Sequence, residues 1–249
     1  MNYSDQIARL AGLINENKRF YVLTGAGIST DSGIPDFRSP GTGLWEKIDP
    51  IAVSSAEVLY NNPKVFYEEG FKRFSKIASA EPNPGHHILA RMEELGFIEG
   101  LVTQNIDGLH VKAGSNKIWE VHGHLRSGHC TSCKMQYPFD ELVQQVALDQ
   151  IPPLCHHCGG MLRPEVVLFG DPMPSFFFEL RKTIRDKCDL MLVVGSSLEV
   201  YPVAELPLLA KKLAIINLQP TDYDGRAEVV IRENCSQVLT DLLKQLNDS

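Results

Sequence analysis

The chain of 249 residues lacks the marks of several large protein classes. No apolar run approaches the ~18 residues that a membrane-spanning helix requires, so no span and no membrane partner are expected. The first residues, Met1-Asn2-Tyr3-Ser4-Asp5, lack the basic segment and apolar stretch of a secretory signal. Positive charge is not in excess: 24 Lys and Arg against 31 Asp and Glu give a formal net charge of −7. That balance argues against direct nucleic-acid binding and mildly favours basic partners. No internal repeat or low-complexity tract occurs. Cysteine is scarce, six residues in all, and the spacing of four of them fits a reducing, cytoplasmic setting.

Those four form the pairs Cys130-x-x-Cys133 and Cys155-x-x-Cys158. Two such knuckles have the spacing of a tetrahedral zinc site. Each can place two thiolates on one metal, and four thiolates leave no position for an activated water. One structural zinc per chain is therefore expected, with the chemistry elsewhere. A disulfide-forming segment is the alternative. The short Pro- and Gly-containing insert offers little else from which to build a core. His129, His156 and His157 beside the knuckles read as surface neighbours, and Cys188 as a small core residue.

What remains is an ordinary globular composition, 43% hydrophobic. Ile7, Leu10, Ala11 and Ile14 recur at helical spacing, which predicts an amphipathic helix over 3–17. Phe20–Leu23 is a short β-type run that stops at Thr24-Gly25-Ala26-Gly27. Residues 31–50, rich in Gly, Pro, Ser and Asp, read as a long functional loop, and 63–79 as helical. Asn83-Pro84 is a cap followed by a first-turn proline, opening a helix to about Leu95. Strands are expected at Phe97–Val102, Ile118–Val121, Leu190–Val194 and Leu213–Ile216, an extended segment at Val166–Phe169, and a last helix over 235–246. Buried strands that alternate with helices indicate an α/β fold: a Rossmann-like parallel sheet with helices on both faces, plus a small zinc-binding module and a helical insertion. The expected boundaries are 1–36, 84–123 and 164–249 for the nucleotide-binding domain, 37–83 for the cofactor loop and helical module, and 124–163 for the zinc module. In such sheets ligands bind at the carboxyl ends of strands, where each polar cluster of this chain falls.

Glycines after a first strand let the backbone approach a pyrophosphate, whose charge is met by N–H groups. A tight structural turn would use Gly25 and Gly27 equally well. The pattern also departs from the dinucleotide fingerprint. Thr30 stands in place of the third glycine, and no acidic residue ends a second strand where a dehydrogenase would hold the ribose. The chain is thus expected to bind NAD without using it for hydride transfer.

Read as a block, Gly25-Ala26-Gly27-Ile28-Ser29-Thr30-Asp31-Ser32-Gly33-Ile34-Pro35-Asp36-Phe37-Arg38 resembles the sirtuin signature. Thr103-Gln104-Asn105-Ile106-Asp107 resembles the second motif of that family and His122-Gly123 the third. The cysteine knuckles, Phe169-Gly170-Asp171, Gly195-Ser196-Ser197 and Asn217-Leu218-Gln219 follow in family order, so the similarity spans about residues 5–245. The near-minimal length resembles the bacterial or archaeal type.

The resemblance implies an NAD-dependent protein lysine deacetylase, or more broadly a deacylase. NAD is consumed as a co-substrate, nicotinamide leaves, and the acetyl group of acetyl-lysine passes to ADP-ribose, giving O-acetyl-ADP-ribose. A mono-ADP-ribosyltransferase on the same scaffold and a non-enzymatic NAD-binding module are the competing readings. His122 is the implied general base, with an ordinary pKa near ~6.5 that suits proton transfer at neutral pH. Asn105 and Asp107 would grip the nicotinamide carboxamide, Ile106 would wall its pocket, Gln104 would bond ribose hydroxyls, and Phe37 would cover the reacting face. Gly25, Ala26, Gly27, Thr30, Asp36 and Arg38 would line the cofactor loop, with Gly195, Ser196 and Ser197 near phosphate. Asn217, Leu218, Gln219 and Cys235 would serve the adenosine half. The segments Val167-Leu168-Phe169-Gly170 and Glu199-Val200-Tyr201 would hold an acetyl-lysine peptide as an added strand. His86 and His87 begin a helix, while His110 and His124 border the site. A desuccinylating branch carries a tyrosine and an arginine three residues apart. Phe66-Tyr67 resembles that segment, but Gly70 occupies the arginine position, so acetyl, propionyl or longer apolar groups are expected over succinyl. A monomer acting on acetyl-lysine proteins is expected.

Overall fold

The computed structural model describes residues 1–36 and 50–248. Phe37 and Arg38, assigned above to the cofactor loop, lie outside them. A six-stranded, wholly parallel sheet forms the centre, in the order β3-β2-β1-β7-β8-β9. Its strands are β1 (Phe20–Thr24), β2 (Ile98–Thr103), β3 (Ile118–Glu120), β7 (Leu190–Val194), β8 (Lys212–Ile216) and β9 (Val229–Ile231). Between β3 and β7 the chain leaves this sheet to build β4 (Gly123–Cys130), β5 (Gln136–Pro138) and β6 (Leu162–Val166). These pair antiparallel in the order β5-β4-β6.

The unbroken apolar runs of the central strands follow from burial on both faces. Successive side chains alternate faces. Phe20, Val22, Leu190, Leu192 and Val194 pack under the helices Tyr3–Glu16, Pro84–Glu94 and Cys235–Asn247. Tyr21, Leu23, Met191 and Val193 pack with Phe177, Leu180 and Ile184 of the helix Phe176–Lys187 on the other side. Cys188 is fully buried in that second cluster. The helix at Pro84 opens as expected: the Asn83 side chain accepts from the Gly85 N–H at 2.9 Å, and His86 completes a capping box.

The smaller layer corrects one expectation. The cysteine-bearing insert is not short of apolar partners. Leu125, Tyr137, Phe139, Leu142 and Leu162 pack with Leu59, Phe66, Tyr67 and Phe71 from the helical insertion, and the Phe71 and Phe139 ring centroids stand 5.2 Å apart. Two segments distant in sequence thus share one core. The helix expected over 63–79 is interrupted by a π turn at Phe66–Gly70. There the helix passes so close to Pro50–Ser54 that a Cβ on Gly70 would lie 2.5 Å from the Val53 carbonyl oxygen. The two ends of the loop expected over 31–50 are regular, since a 3-10 helix covers Ala26–Ser32 and an α-helix begins at Pro50, while residues 37–49 lie outside the described residues. Among the described residues, no helix is long and apolar enough to cross a membrane.

Candidate functional site

Strand order reverses between β1 and β7, and open α/β sheets bind ligands at such a switch point. The two turns that leave these strands interlock. The Gly25 N–H donates to Val194 O at 3.0 Å and the Gly27 N–H to Gly195 O at 2.8 Å. A Cβ on Gly27 would lie 2.7 Å from Gly195 Cα, and Gly195 itself has φ +63°. The glycines are therefore required first by the fit of turn against turn. That fit brings both backbones to one crevice, so the turn reading and the phosphate reading coincide. A cavity of about 660 Å³ opens there. It is lined by Gly25–Gly27, Thr30 and Asp36, by Gln104–Asp107 and His122, and by Val167–Gly170, Gly195–Ser197, Glu199–Tyr201, Asn217–Gln219 and Cys235. The described residues expected to touch NAD or peptide thus face one space.

Hydrogen-bond directions in this cavity can be worked out from donor counts. The Asn83 N–H donates to His86 Nδ1 at 3.3 Å, so His86 carries its proton on Nε2 and donates toward Ser29 Oγ, also at 3.3 Å. Burial lowers the His86 pKa to about 4, which keeps the ring neutral. Ser29 in turn donates to Asp107 Oδ2 at 2.7 Å, and the Leu109 N–H donates to Asp107 Oδ1 at 2.9 Å. Burial pushes the Asp107 carboxyl upward, and these two bonds oppose that shift. Asn105 spends both amide hydrogens, on Gly25 O and on Ser29 Oγ, each at 3.1 Å. Its Oδ1 is left as the acceptor for a ligand.

His122 is fixed in the same way. Its Nδ1 lies 3.0 Å from the Gln104 carbonyl oxygen. A carbonyl can only accept, so Nδ1 carries the proton and Nε2 keeps its lone pair. Burial lowers the His122 pKa, with the carbonyl contact acting in the opposite sense. The neutral form that a general base needs is the favoured one.

Other expected residues are partly engaged with each other. Gln104 Nε2 donates to Ser196 Oγ at 2.8 Å, and Asn217 Nδ2 to Gln219 O at 2.8 Å. Their amide oxygens are thus the groups best placed for a ligand. His110 is buried behind the site, its Nε2 3.0 Å from Thr24 Oγ1 and its ring centroid 4.8 Å from that of His86. Two residues of this network lie outside the set expected from the sequence: Ser29, and His86, which the sequence marks only as a helix start. The capping signal at Asn83 was the available clue, because a capping box turns the His86 ring inward.

The segment Val167–Gly170 is bonded to its surroundings on more than one side. The Val167 N–H donates to the His122 carbonyl at 2.8 Å, and the Ala56 N–H to Phe169 O at 2.9 Å. Phe169 and Tyr201 remain 38% and 63% exposed at the cavity rim, where an apolar lysine stem could be covered. The wall that would meet an acyl carboxylate differs from the expectation in two residues. Tyr67 is buried, with its hydroxyl bonded to the Leu162 carbonyl oxygen, and so does not face the cavity. Moreover, a cation does line the wall: Arg73, one turn beyond Gly70, beside Phe74 and Ile77.

Away from the cavity, the Sγ atoms of Cys130, Cys133, Cys155 and Cys158 lie within 4.8 Å of one another. Cys130–Cys158 and Cys133–Cys155 are 3.5 and 3.6 Å apart. A tetrahedral Zn–S₄ centre with bonds of about 2.3 Å has edges of about 3.8 Å, whereas a disulfide needs about 2.05 Å. The donor set therefore fits a metal and does not fit paired disulfides. Tyr137 Oη donates to Cys155 Sγ at 3.0 Å and orients it. A Cβ on Gly160 would crowd Cys130 Sγ at 2.9 Å, so glycine keeps the cradle open.

The sequence profile of the Sir2 family matches residues 25–202. The chain is 52% identical to the NAD-dependent protein deacetylase 2 of Caldanaerobacter subterraneus subsp. tengcongensis, covering 97% of this chain and 96% of that protein. It is 45% identical to the NAD-dependent protein deacetylase of Caldivirga maquilingensis, over 96% and 93% of the two chains. A solved Sir2 complex with p53 peptide and NAD+ superposes with a TM-score of 0.87 at 34% identity, covering all of both chains. A second, with deacetylated p53 peptide and 3′-O-acetyl ADP-ribose, gives 0.90 at 34% identity over 98% of each. Motif order, sheet topology and full-length similarity agree: the chain belongs to the Sir2, or sirtuin, family.

Proposed function

We infer that the protein is an NAD-dependent protein lysine deacetylase. It moves the acetyl group of an acetyl-lysine side chain to ADP-ribose, releasing nicotinamide and leaving O-acetyl-ADP-ribose. The observation that carries this reading is His122, half-buried, which lines the same cavity as Asn105 and Asp107 and keeps a bare Nε2. Relatives at up to 52% identity bear the deacetylase name.

In this reading the residues divide the work. Asp107, held as an acceptor by Ser29 and Leu109, takes hydrogen bonds from a carboxamide NH₂ group, and Asn105 Oδ1 accepts from the same group or from a ribose hydroxyl. Holding that amide in place favours departure of nicotinamide. His122 Nε2 accepts the proton released from the ribose hydroxyls when the acetyl group is attacked. The interlocked turns at Gly25–Gly27 and Gly195–Ser197 take the pyrophosphate, and Asn217, Leu218, Gln219 and Cys235 the adenosine. Val167–Gly170 and Glu199–Tyr201 hold the peptide through backbone bonds, which suits protein substrates of varied sequence. The four thiolates hold one structural zinc, which serves the smaller layer and takes no part in the chemistry. Reduced thiolates in that role suit a cytoplasmic setting.

The test is an acetyl-lysine peptide incubated with the zinc-loaded protein, with and without NAD. Deacetylated peptide should form only with NAD. Formation without NAD, or a gain of one ADP-ribose on the protein in place of deacetylation, contradicts the reading.

A further inference from the structure

We propose that the buried pair Arg163–Asp171 is a positioning device for the peptide substrate, holding Val167–Gly170 in the shape that receives an acetyl-lysine peptide. The proposal rests on the deacetylase reading and assigns the pair no contact with the reacting atoms.

Arg163 sits on β6, just before the segment, and Asp171 just after it. Their side chains are only 8% and 15% exposed. The contact is a two-pronged fork, Nη1 to Oδ1 at 3.2 Å and Nη2 to Oδ2 at 2.6 Å, and Nη2 also donates to Val166 O at 2.9 Å. Asp171 then grips the segment itself. Its Oδ2 accepts from the Leu168 N–H at 2.9 Å, and its own N–H donates to Leu168 O at 3.0 Å. Gly170, at φ +91°, supplies the reversal that brings Asp171 back to Arg163. β6 ends at Val166, so the following residues have no strand ladder of their own. Their shape is set by this fork, by His122 O on Val167 and by Ala56 N–H on Phe169.

Stability alone is a poor account of the pair. Burying two charges costs nearly what their attraction returns. Arg163 Nε is moreover buried with no partner among the described residues, an added penalty that a purely stabilising site would avoid. A fork does supply fixed orientation. The turns at Gly25–Gly27 and Gly195–Ser197, assigned to the pyrophosphate, lie on the central sheet, whereas the fork braces the loop after β6. Loosening it should weaken peptide binding and spare NAD.

The experiment is calorimetric titration of the full zinc-loaded protein with an acetyl-lysine peptide and, separately, with NAD. For Asp171→Asn the peptide Kd should rise tenfold or more while the NAD Kd stays within twofold. Asp171→Glu, which keeps the charge, should recover part of the peptide affinity. Arg163→Lys keeps a cation and loses the fork; it should show the same split and serves if Asp171→Asn does not fold. An unchanged peptide Kd, or peptide and NAD weakened by the same factor, overturns the proposal. A wild-type protein that deacetylates the peptide while Asp171→Asn binds it normally removes this proposal alone. A wild-type protein that binds no acetyl-lysine peptide removes the deacetylase reading as well.

Discussion

The six-stranded layer carries the titratable groups Asp107 and His122 beside its strand ends, each with its proton placement set by neighbours, as in the run from His86 through Ser29 to Asp107. The smaller layer, built from β4–β6 and the helices between Pro50 and Ala78, contributes mainly a backbone edge and an apolar wall, with Arg73 as its cation among the described residues. One side of the cavity fixes protons, and the other shapes the space for a substrate. The difference has a physical root. A parallel sheet sealed on both faces is rigid enough to hold buried polar groups in register. The smaller layer leans on a shared core and four thiolates and defines a wall, and its polar brace at the cavity, the Arg163–Asp171 fork, holds backbone shape and not a proton.

The contrast can be broken from either side. The largest effect is expected for His122→Tyr. Loss of the base should lower kcat at least about a hundredfold, while zinc content and Tm stay near wild type. A variant that also loses zinc would show that the two layers are not separable. Cys130→Ala, or chelation, should next remove the metal and lower Tm. Because Phe66, Tyr67 and Phe71 pack against Tyr137, Phe139 and Leu142, limited proteolysis should then cut within 50–78 as well as within the insert, with the central helices still protected. Cutting confined to the insert would contradict the shared core.

Acidification tests the other side. The folded pKa of His86 is lowered to about 4 from 6.5. Below 6.5 the unfolded chain takes up a proton that the folded chain refuses, so this contribution is complete above 6.5 and is lost as pH falls toward 4. It amounts to about 3 kcal/mol. Urea unfolding of wild type against His86→Gln should show a flatter slope for the variant across that window. Activity should respond similarly through His122, whose pKa burial also lowers: the acid limb of kcat/KM should lie below pH 6.5. The smallest change is expected from Ser29→Ala. It leaves Asp107 Oδ2 without its donor, which costs about 1–3 kcal/mol and should appear as a Tm lower by a few degrees together with weaker NAD binding.

Much of the large layer was legible because its determinants are local. Leu190–Val194 and Phe20–Leu23 are continuous apolar runs stopped by glycine turns, and Asn83-Pro84 announces its helix. β9 is three residues long and no glycine turn stops it, so it does not stand out, and the pairing of 50–78 with the insert depends on contacts between Phe71 and Phe139 that no local pattern encodes. In the site, the motifs pointed to Asn105, Asp107 and His122, but the proton directions depend on Asn83, Ser29 and the Gln104 carbonyl, visible only once the chain is folded. Tyr67 shows the converse: its motif position suggested a ligand contact, yet the shared core captures its side chain.

The most direct test of the account is a count of products. With NAD and an acetyl-lysine peptide, mass spectrometry should find nicotinamide, deacetylated peptide and O-acetyl-ADP-ribose in equal amounts. Free acetate in place of the O-acetyl product in early turnover, or nicotinamide released in large excess over deacetylated peptide, would contradict it.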